Sequence, residues 1–297
     1  MWLASSILSA ARRRPAWQAA VLLLCLAGAS LAEEAEPLRV CADPDDLPSS
    51  NRERQGFENK IAELVARELG TTPSFYWWPY QRGLVRNTLK ADQCDILISV
   101  PRDYDPVLVT KAYYRSAYVL IYRSDRKLGL RSLDDPALKR LKLGAQINMP
   151  PYDALGNRGL MANVTSYNPF FDPQDPDPAS RPQKMIQDVI DGTIDVALVW
   201  GPLAGYFAKQ HPSPGLEIVP LEDEGTLPMS FEFSMGVRQG NRELKARLEA
   251  VIERRQADIT KILDDYGVPL LPLKPPREPV EGKHAQAGSH QHDPENN

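Results

Sequence analysis

The sequence predicts an α/β protein of two lobes joined by a two-strand crossover, and three observations carry that expectation. Between Leu38 and Pro101 three apolar runs alternate with two helical patterns. A second series of the same construction follows between Ser132 and Leu221. The alternating segment Phe231–Val237 can then return the chain to the first lobe, where the long amphipathic stretch Asn241–Tyr266 would pack. Strand, helix, strand, helix, strand in so few residues requires parallel strands with right-handed crossovers.

The first 32 residues stand apart. Arg12, Arg13 and Arg14 precede the apolar run Ala19–Ala29, and Ser30-Leu31-Ala32 offers small residues for cleavage. This is the pattern of a secretory signal, too short for a membrane span. Cleavage near Glu33 would leave 39 acidic against 32 basic residues, a net charge of −7. That surface argues against nucleic acid and anionic membrane as partners.

The first lobe is expected over residues 38–112. Leu38–Ala42, Pro73–Trp78 and Asp95–Val100 read as strands covered on both faces, because their apolar runs do not alternate with polar residues. Phe57, Ile61, Leu64, Val65 and Leu69 share a helical face that Gly70 ends; Leu84, Val85, Thr88 and Leu89 mark a shorter helix. In a 2-1-3 strand order Cys41 and Cys94 lie on neighbouring strands. They are expected to pair in an oxidising compartment, although Cys41 lies within its strand and Cys94 just before its own; the other reading is two small buried apolar residues. A bridge here would contribute about 4 kcal/mol in the chain-entropy model.

The second lobe is expected over residues 113–230. Tyr113–Tyr122 is rich in aromatic and β-branched residues and reads as the long strand that leaves lobe one. Ser132–Arg140 reads as a helix capped by Ser132, Lys142–Gln146 as a strand, and Met149–Tyr167 is weakly patterned. Gln183–Asp191, Ile194–Trp200, Leu203–Gln210 and Leu216–Leu221 continue as helix, strand, helix and strand. Residues 231–272 rejoin lobe one, and residues 273–297, with almost no apolar content, read as a disordered tail.

Ligands of open α/β sheets sit beyond the carboxyl ends of the strands, so those ends are the candidate cleft. They supply Asp43 and Asp45; Trp77, Trp78, Tyr80 and Arg82; Ser99, Pro101 and Arg102; Tyr113 and Tyr114; Gln146; and Trp200 with Gly201. Two uses remain open for several of them. Asp43, Asp45 and Asp46 can meet a cationic ligand or a metal, or shape a turn and cap the next helix. The Trp clusters can line a cleft or fill a core. Arg82 and Arg86 can bind an anion or form a solvated helix face.

Catalytic signatures are missing. There is no G-x-S-x-G, H-E-x-x-H or G-x-x-x-x-G-K-[ST] pattern, and His211, the one histidine between leader and tail, sits in a His-Pro-Ser-Pro-Gly turn. The run Phe171–Pro178 (FDPQDPDP) offers three aspartates, but its prolines remove the flexibility of a calcium loop. No metal site is expected.

Several segments carry a close resemblance to one family. They are RVCADPDDLPSSN, GFENKIAELVARELG, YWWPYQRGLVRNTL, CDILISVP, VPRDYDPVLVTKAYYRSAYVLIYR and DGTIDVALVWGPLAGYFA, together spanning Leu38 to Pro272. WWPYQRG and VWGPLAGYFA are the specific ones. The chain resembles the MxaJ/XoxJ family, solute-binding-like periplasmic proteins associated with quinoprotein methanol dehydrogenases. The resemblance implies a bilobed type II periplasmic binding fold without enzymatic activity or a cofactor of its own. It implies a PQQ-dependent alcohol dehydrogenase, with calcium or a lanthanide, as partner, and an accessory or activating role. Amino-acid receptors of this fold place an Arg after the third strand and an Asp after a lobe-two strand. Here Arg102-Asp103 is displaced from Tyr113, and Trp200-Gly201 carries no acid, so an amino-acid pocket is not expected. A small-solute receptor and an enzyme on the same fold are the competing readings.

Overall fold

The computed structural model describes residues 36–168 and 183–275. The leader, the FDPQDPDP run and residues 276–297 lie outside the described residues.

Leu38–Ala42 forms β1, followed by a small hairpin of β2 (Asp45–Asp46) and β3 (Ser50–Asn51). Helix α1 (Phe57–Glu68) starts where Asn59 Oδ1 accepts the backbone N–H groups of Asn51 and Gly56. Gly56 is required by close approach, since a Cβ there would lie 2.1 Å from the Ser49 carbonyl oxygen. Strand β4 (Pro73–Trp77), the one-turn helix α2 (Leu84–Asn87) and β5 (Ile96–Pro101) complete the first unit, with β1 parallel to both β4 and β5. This is the expected 2-1-3 order.

Its faces follow the period of two. Val40, Ile96 and Ile98 join a core with α1, while Cys41 and Leu97 face the other side with Val85 and Leu89 of the α2 region. Cys41 and Cys94 are bridged, with Cα atoms 5.5 Å apart. The difference in strand position is no obstacle, because Arg39 of β1 fixes the turn before β5. Its carbonyl accepts Asp95 N–H at 2.7 Å, and its guanidinium holds both Asp92 and Asp95.

The crossover consists of two strands. After the short β6 (Leu108–Val109) comes β7 (Tyr114–Arg123), which serves both sheets. Tyr114–Ala117 pairs antiparallel with β12 (Ser230–Val237), and the later residues of β7 pair with β10 (Val196–Trp200) and β11 (Leu216–Pro220). Strand β12 runs back beside β5 and also pairs with β6. The main path is therefore β4-β1-β5-β12-β7-β10-β8-β9, where β8 is Leu143–Gln146 and β9 is Val164–Tyr167.

Around β7 and β10 alternate residues again face separate cores. Leu120, Tyr122, Val196 and Leu198 point one way, and Val119, Ile121, Ala197 and Val199 the other. Helix α3 (Pro150–Asn157) covers the first face; α4 (Gln183–Ile190) and α5 (Gly201–Gln210) cover the second. Helix α6 (Arg242–Asp265) returns to pack beside α1, burying Leu248, Val251, Ile252, Ile259 and Leu263. It breaks at Arg255, whose guanidinium bonds to Glu68 and Asp258.

Two local expectations change. Ser132–Arg140 is not an α-helix; only Pro136–Arg140 coils, as a 3-10 turn capped by Asp135. Pro136 confines Asp135 to extended backbone, which blocks a helix beginning at Ser132. The weakly patterned Met149–Tyr167 contains both α3 and β9, with Pro150 and Pro151 starting the helix where missing N–H groups are harmless. None of the helices among the described residues is long and apolar enough to cross a membrane.

Candidate functional site: a cleft with one acidic and one apolar wall

A cavity of about 370 Å³ opens at the strand ends. The first half of the chain contributes Asp46–Ser49 of the β2–β3 hairpin, Phe57 and Glu58 of α1, Tyr80, and Ser99 and Pro101 of β5. The crossover contributes Tyr114 and Phe233; Gln146, Trp200, Pro202 and Leu203 come from the ends of β8 and β10 and the start of α5.

The polar wall is built around Glu58, whose residue is only 4% exposed. Its carboxylate accepts the Tyr80 hydroxyl at 3.0 Å, and Ser99 lies beside it. Burial pushes Glu58 up to about 7, Asp43 adds to the rise, and the Ser99 and Tyr80 hydrogen bonds oppose it. Asp46 is enclosed on most sides but opens on the cavity; burial, then the charges of Asp43 and Glu58, push it up to about 8. Tyr80 is raised well above the usual phenol range, first by burial and then by the charge of Glu58.

The apolar wall is a run of ring contacts. Phe57 meets Tyr114 edge-on at 6.4 Å, Tyr114 stacks on Phe233 at 4.8 Å, and Trp200 tilts against Phe233 at 5.7 Å. Trp200 also meets Tyr118 edge-on at 5.2 Å. The run passes through both crossover strands and so connects α1 to the end of β10.

Of the candidate residues, Tyr80, Ser99, Pro101, Tyr114, Gln146 and Trp200 share this cavity wall. Asp43 stands behind it as a turn former: Oδ1 accepts Asp45 N–H at 2.9 Å and Oδ2 accepts Tyr80 N–H at 2.5 Å. Burial raises its pKa, and those two backbone bonds oppose the rise. Asp45 is exposed on the hairpin. Trp77 lies off the cavity wall, because β4 is the sheet's edge strand and its pleat stacks Trp77 on Phe75 at 5.2 Å, under Arg52. Trp78 is half-buried behind the wall, its N–H bonded to Ala42 and its buried Nε1 without a hydrogen-bond partner.

Arg82 is exposed before a helix of four residues. Arg102 pairs with Glu232, Nη1 to Oε2 at 2.7 Å. Tyr113 is core; its hydroxyl donates to the Ile98 carbonyl at 2.9 Å and lies 3.0 Å from Ser99 Oγ. Gly201 is a packing residue, since a Cβ would lie 2.5 Å from the Ala117 carbonyl oxygen and push α5 off the crossover.

Asp46 and Pro202, which the strand-end clusters included, also line the cavity, whereas sequence reasoning missed Glu58, Phe57, Leu203 and Phe233 as wall residues. Glu58, in the first turn of α1, reads as a favourable helix-dipole charge. Nothing local in the sequence shows that it faces a cavity. Among the described residues no group of three His, Cys, Asp or Glu is placed to hold a metal ion. His211 lies at the end of α5, with Nδ1 against the Phe207 carbonyl at 2.9 Å.

Two α/β units, a two-strand crossover and a cleft at the strand ends define the bilobed periplasmic binding protein fold. The solved structure of the periplasmic binding protein XoxJ from Methylobacterium extorquens AM1 is 38% identical, with a TM-score of 0.65 over 80% of this chain and 100% of that one. The structure of MxaJ from Methlophaga aminisulfidivorans is 27% identical, with a TM-score of 0.68 over 79% of this chain and 100% of that one. No family model matches. Protein MoxJ of Methylorubrum extorquens is 33% identical over 258 residues, 82% of this chain and 85% of the relative. The chain belongs to the MxaJ/XoxJ family.

Proposed function

We propose that the protein acts in the periplasm as an accessory binding protein of a PQQ-dependent methanol dehydrogenase, assisting its activation or maturation without catalysing a reaction itself. The carrying observation is family membership across nearly the whole described fold, at 33% identity to MoxJ. The ring series from Phe57 to Trp200 lines the cavity from both sides of the crossover, with Phe57 and Tyr114 buried and only Phe233 and Trp200 partly open to a partner. PQQ and a calcium or lanthanide ion would belong to the dehydrogenase.

Tagged protein recovered from periplasm under methanol growth, followed by native mass analysis, tests this reading. A co-eluting quinoprotein dehydrogenase is the expected result, and recovery of the protein alone counts against it. A second reading, a small-solute receptor, is favoured by one observation: Glu58, Ser99, Tyr80 and Gln146 line one open cavity.

A further inference from the structure

We infer that the cavity takes a compact organic cation, an alkylammonium or quaternary ammonium group on a small apolar body. The inference concerns the same cavity but does not rest on the dehydrogenase reading. About 370 Å³ falls at the lower end of small-molecule sites, which run to roughly 1,000 Å³. The decisive feature is the sign of the wall. Its charged side chains are Asp46 and Glu58, and no Lys, Arg or His is among the lining residues.

Glu58 is buried, and among the described residues its carboxylate receives neutral donors only, the hydroxyls of Tyr80 and Ser99. A buried carboxylate without a counter-ion must hold a proton or receive a cation from outside. Arg102, which directly follows β5, is engaged with Glu232. The same cavity is lined by Tyr114, Phe233 and Trp200, and aromatic rings favour a cation over a neutral group of equal size. An anion would meet two carboxylates, and a zwitterion would leave its own carboxylate unmatched.

Proton and cation therefore compete for one place. The titratable groups near Glu58 are Asp43 and Asp46 from the segment after β1, Tyr80 after β4, and Tyr113 and Tyr114 at the start of β7. The wall residues from β8, β10 and α5 carry no charge. Around neutrality the two tyrosines and Tyr80 stay protonated, and Asp46 and Glu58 change charge. Cation affinity should rise with pH through that range.

The test is isothermal titration of the purified chain with benzylammonium and tetramethylammonium chlorides, neutral benzyl alcohol and sodium benzoate. Both cations keep their charge between pH 6 and pH 8. At least one should bind about tenfold tighter than benzyl alcohol, about 1.4 kcal/mol, and more tightly at pH 8 than at pH 6, while benzoate stays weakest. Glu58→Gln, shown folded by circular dichroism, should reduce the cation's affinity about tenfold and flatten its pH dependence. Asp46→Asn serves the same purpose if Glu58→Gln does not fold, and the wild-type series decides by itself if neither does. The inference is overturned if neither cation outbinds benzyl alcohol at pH 8, if benzoate binds best, or if a folded Glu58→Gln protein keeps full affinity and pH dependence.

Discussion

The two walls of the cleft are made of different materials. The wall from the first half of the chain is acidic and hydrogen-bonded; its Tyr80 packs on the core that contains the Cys41–Cys94 bridge, and its Phe57 belongs to the core under α1. The facing wall, from Trp200, Pro202 and Leu203, carries no charge and rests on aliphatic cores without a cystine. Directional groups lose their value if displaced by a fraction of an ångström, so they need rigid support. An apolar wall tolerates small shifts, because area burial has no direction. The first wall therefore suits selection of a chemical group, and the second suits packing against whatever body carries that group.

The largest expected effect tests the support of the first wall. The bridge closes a separation of 53 residues and constrains the unfolded chain by about 4 kcal/mol. Replacing both Cys41 and Cys94 by Ser should lower the melting temperature well beyond any single surface change, as read by calorimetry under oxidising conditions. Equal melting curves with and without the bridge would mean that the two walls do not differ in rigidity from this source.

Trp200→Ala probes the second wall. Trp200 is half-buried, with ring contacts to Tyr118, Phe231 and Phe233. Its truncation should cost about 2 kcal/mol of stability, below the roughly 3–5 of a full core position. If the cleft docks the dehydrogenase, affinity per folded molecule should also fall about tenfold or more. Melting and binding measured on one sample separate the two roles. A drop in melting temperature with intact affinity would make Trp200 a core residue only.

Acidity gives a smaller effect with a definite sign. Glu58 and Asp46 titrate near 7 and 8 in the fold and near 4 in an unfolded chain. Between those values the folded state binds more protons than the unfolded one, so stability falls as pH rises from about 4 toward 8. Asp223 behaves oppositely. Burial opposes its ionisation, but Lys274, Ser230 and the Met229 N–H outweigh burial and hold it down to about 2. Its contribution is present above about pH 4 and is lost on acidification toward 2. Glu58→Gln should thus flatten the decline in melting temperature from pH 5 to pH 8 and leave the acid limb unchanged. An unaltered decline would show that Glu58 does not carry the titration.

Much of the fold was legible because period and strand length are local. Val196–Trp200 was readable as a doubly covered strand from its unbroken apolar run, Leu38–Ala42 from a run interrupted only by Arg39, and the return strand from its alternation. The cleft was legible only to the level of strand ends. Pleat decides which neighbour turns inward, so Tyr80 reaches the cavity while Trp77 stacks outside on Phe75. Glu58 was illegible for a different reason. Its burial depends on the β2–β3 hairpin folding over α1, a contact that only Gly56 permits and no periodicity announces.

The smallest expected effect is a null one, and it bears on which wall selects. Neutral and acidic amino acids should leave the melting temperature nearly unchanged, because the acidic wall offers their carboxylates nothing. The guanidinium best placed by sequence, Arg102, is bonded through its side chain to Glu232 Oε2 at 2.7 Å and through its backbone N–H to the Glu232 carbonyl at 2.9 Å. Freeing it would leave Glu232, with only 9% of its side chain exposed, without a counter-charge and held by the Lys274 backbone N–H alone, a costly exchange for one new ion pair. A ligand present at a hundred times its dissociation constant would add about 2.7 kcal/mol of stability, far above the scatter of a melting scan. Scans with glycine, glutamine and glutamate at millimolar concentration therefore decide the matter. A clear upward shift with any of them would turn the cleft into an amino-acid receptor site.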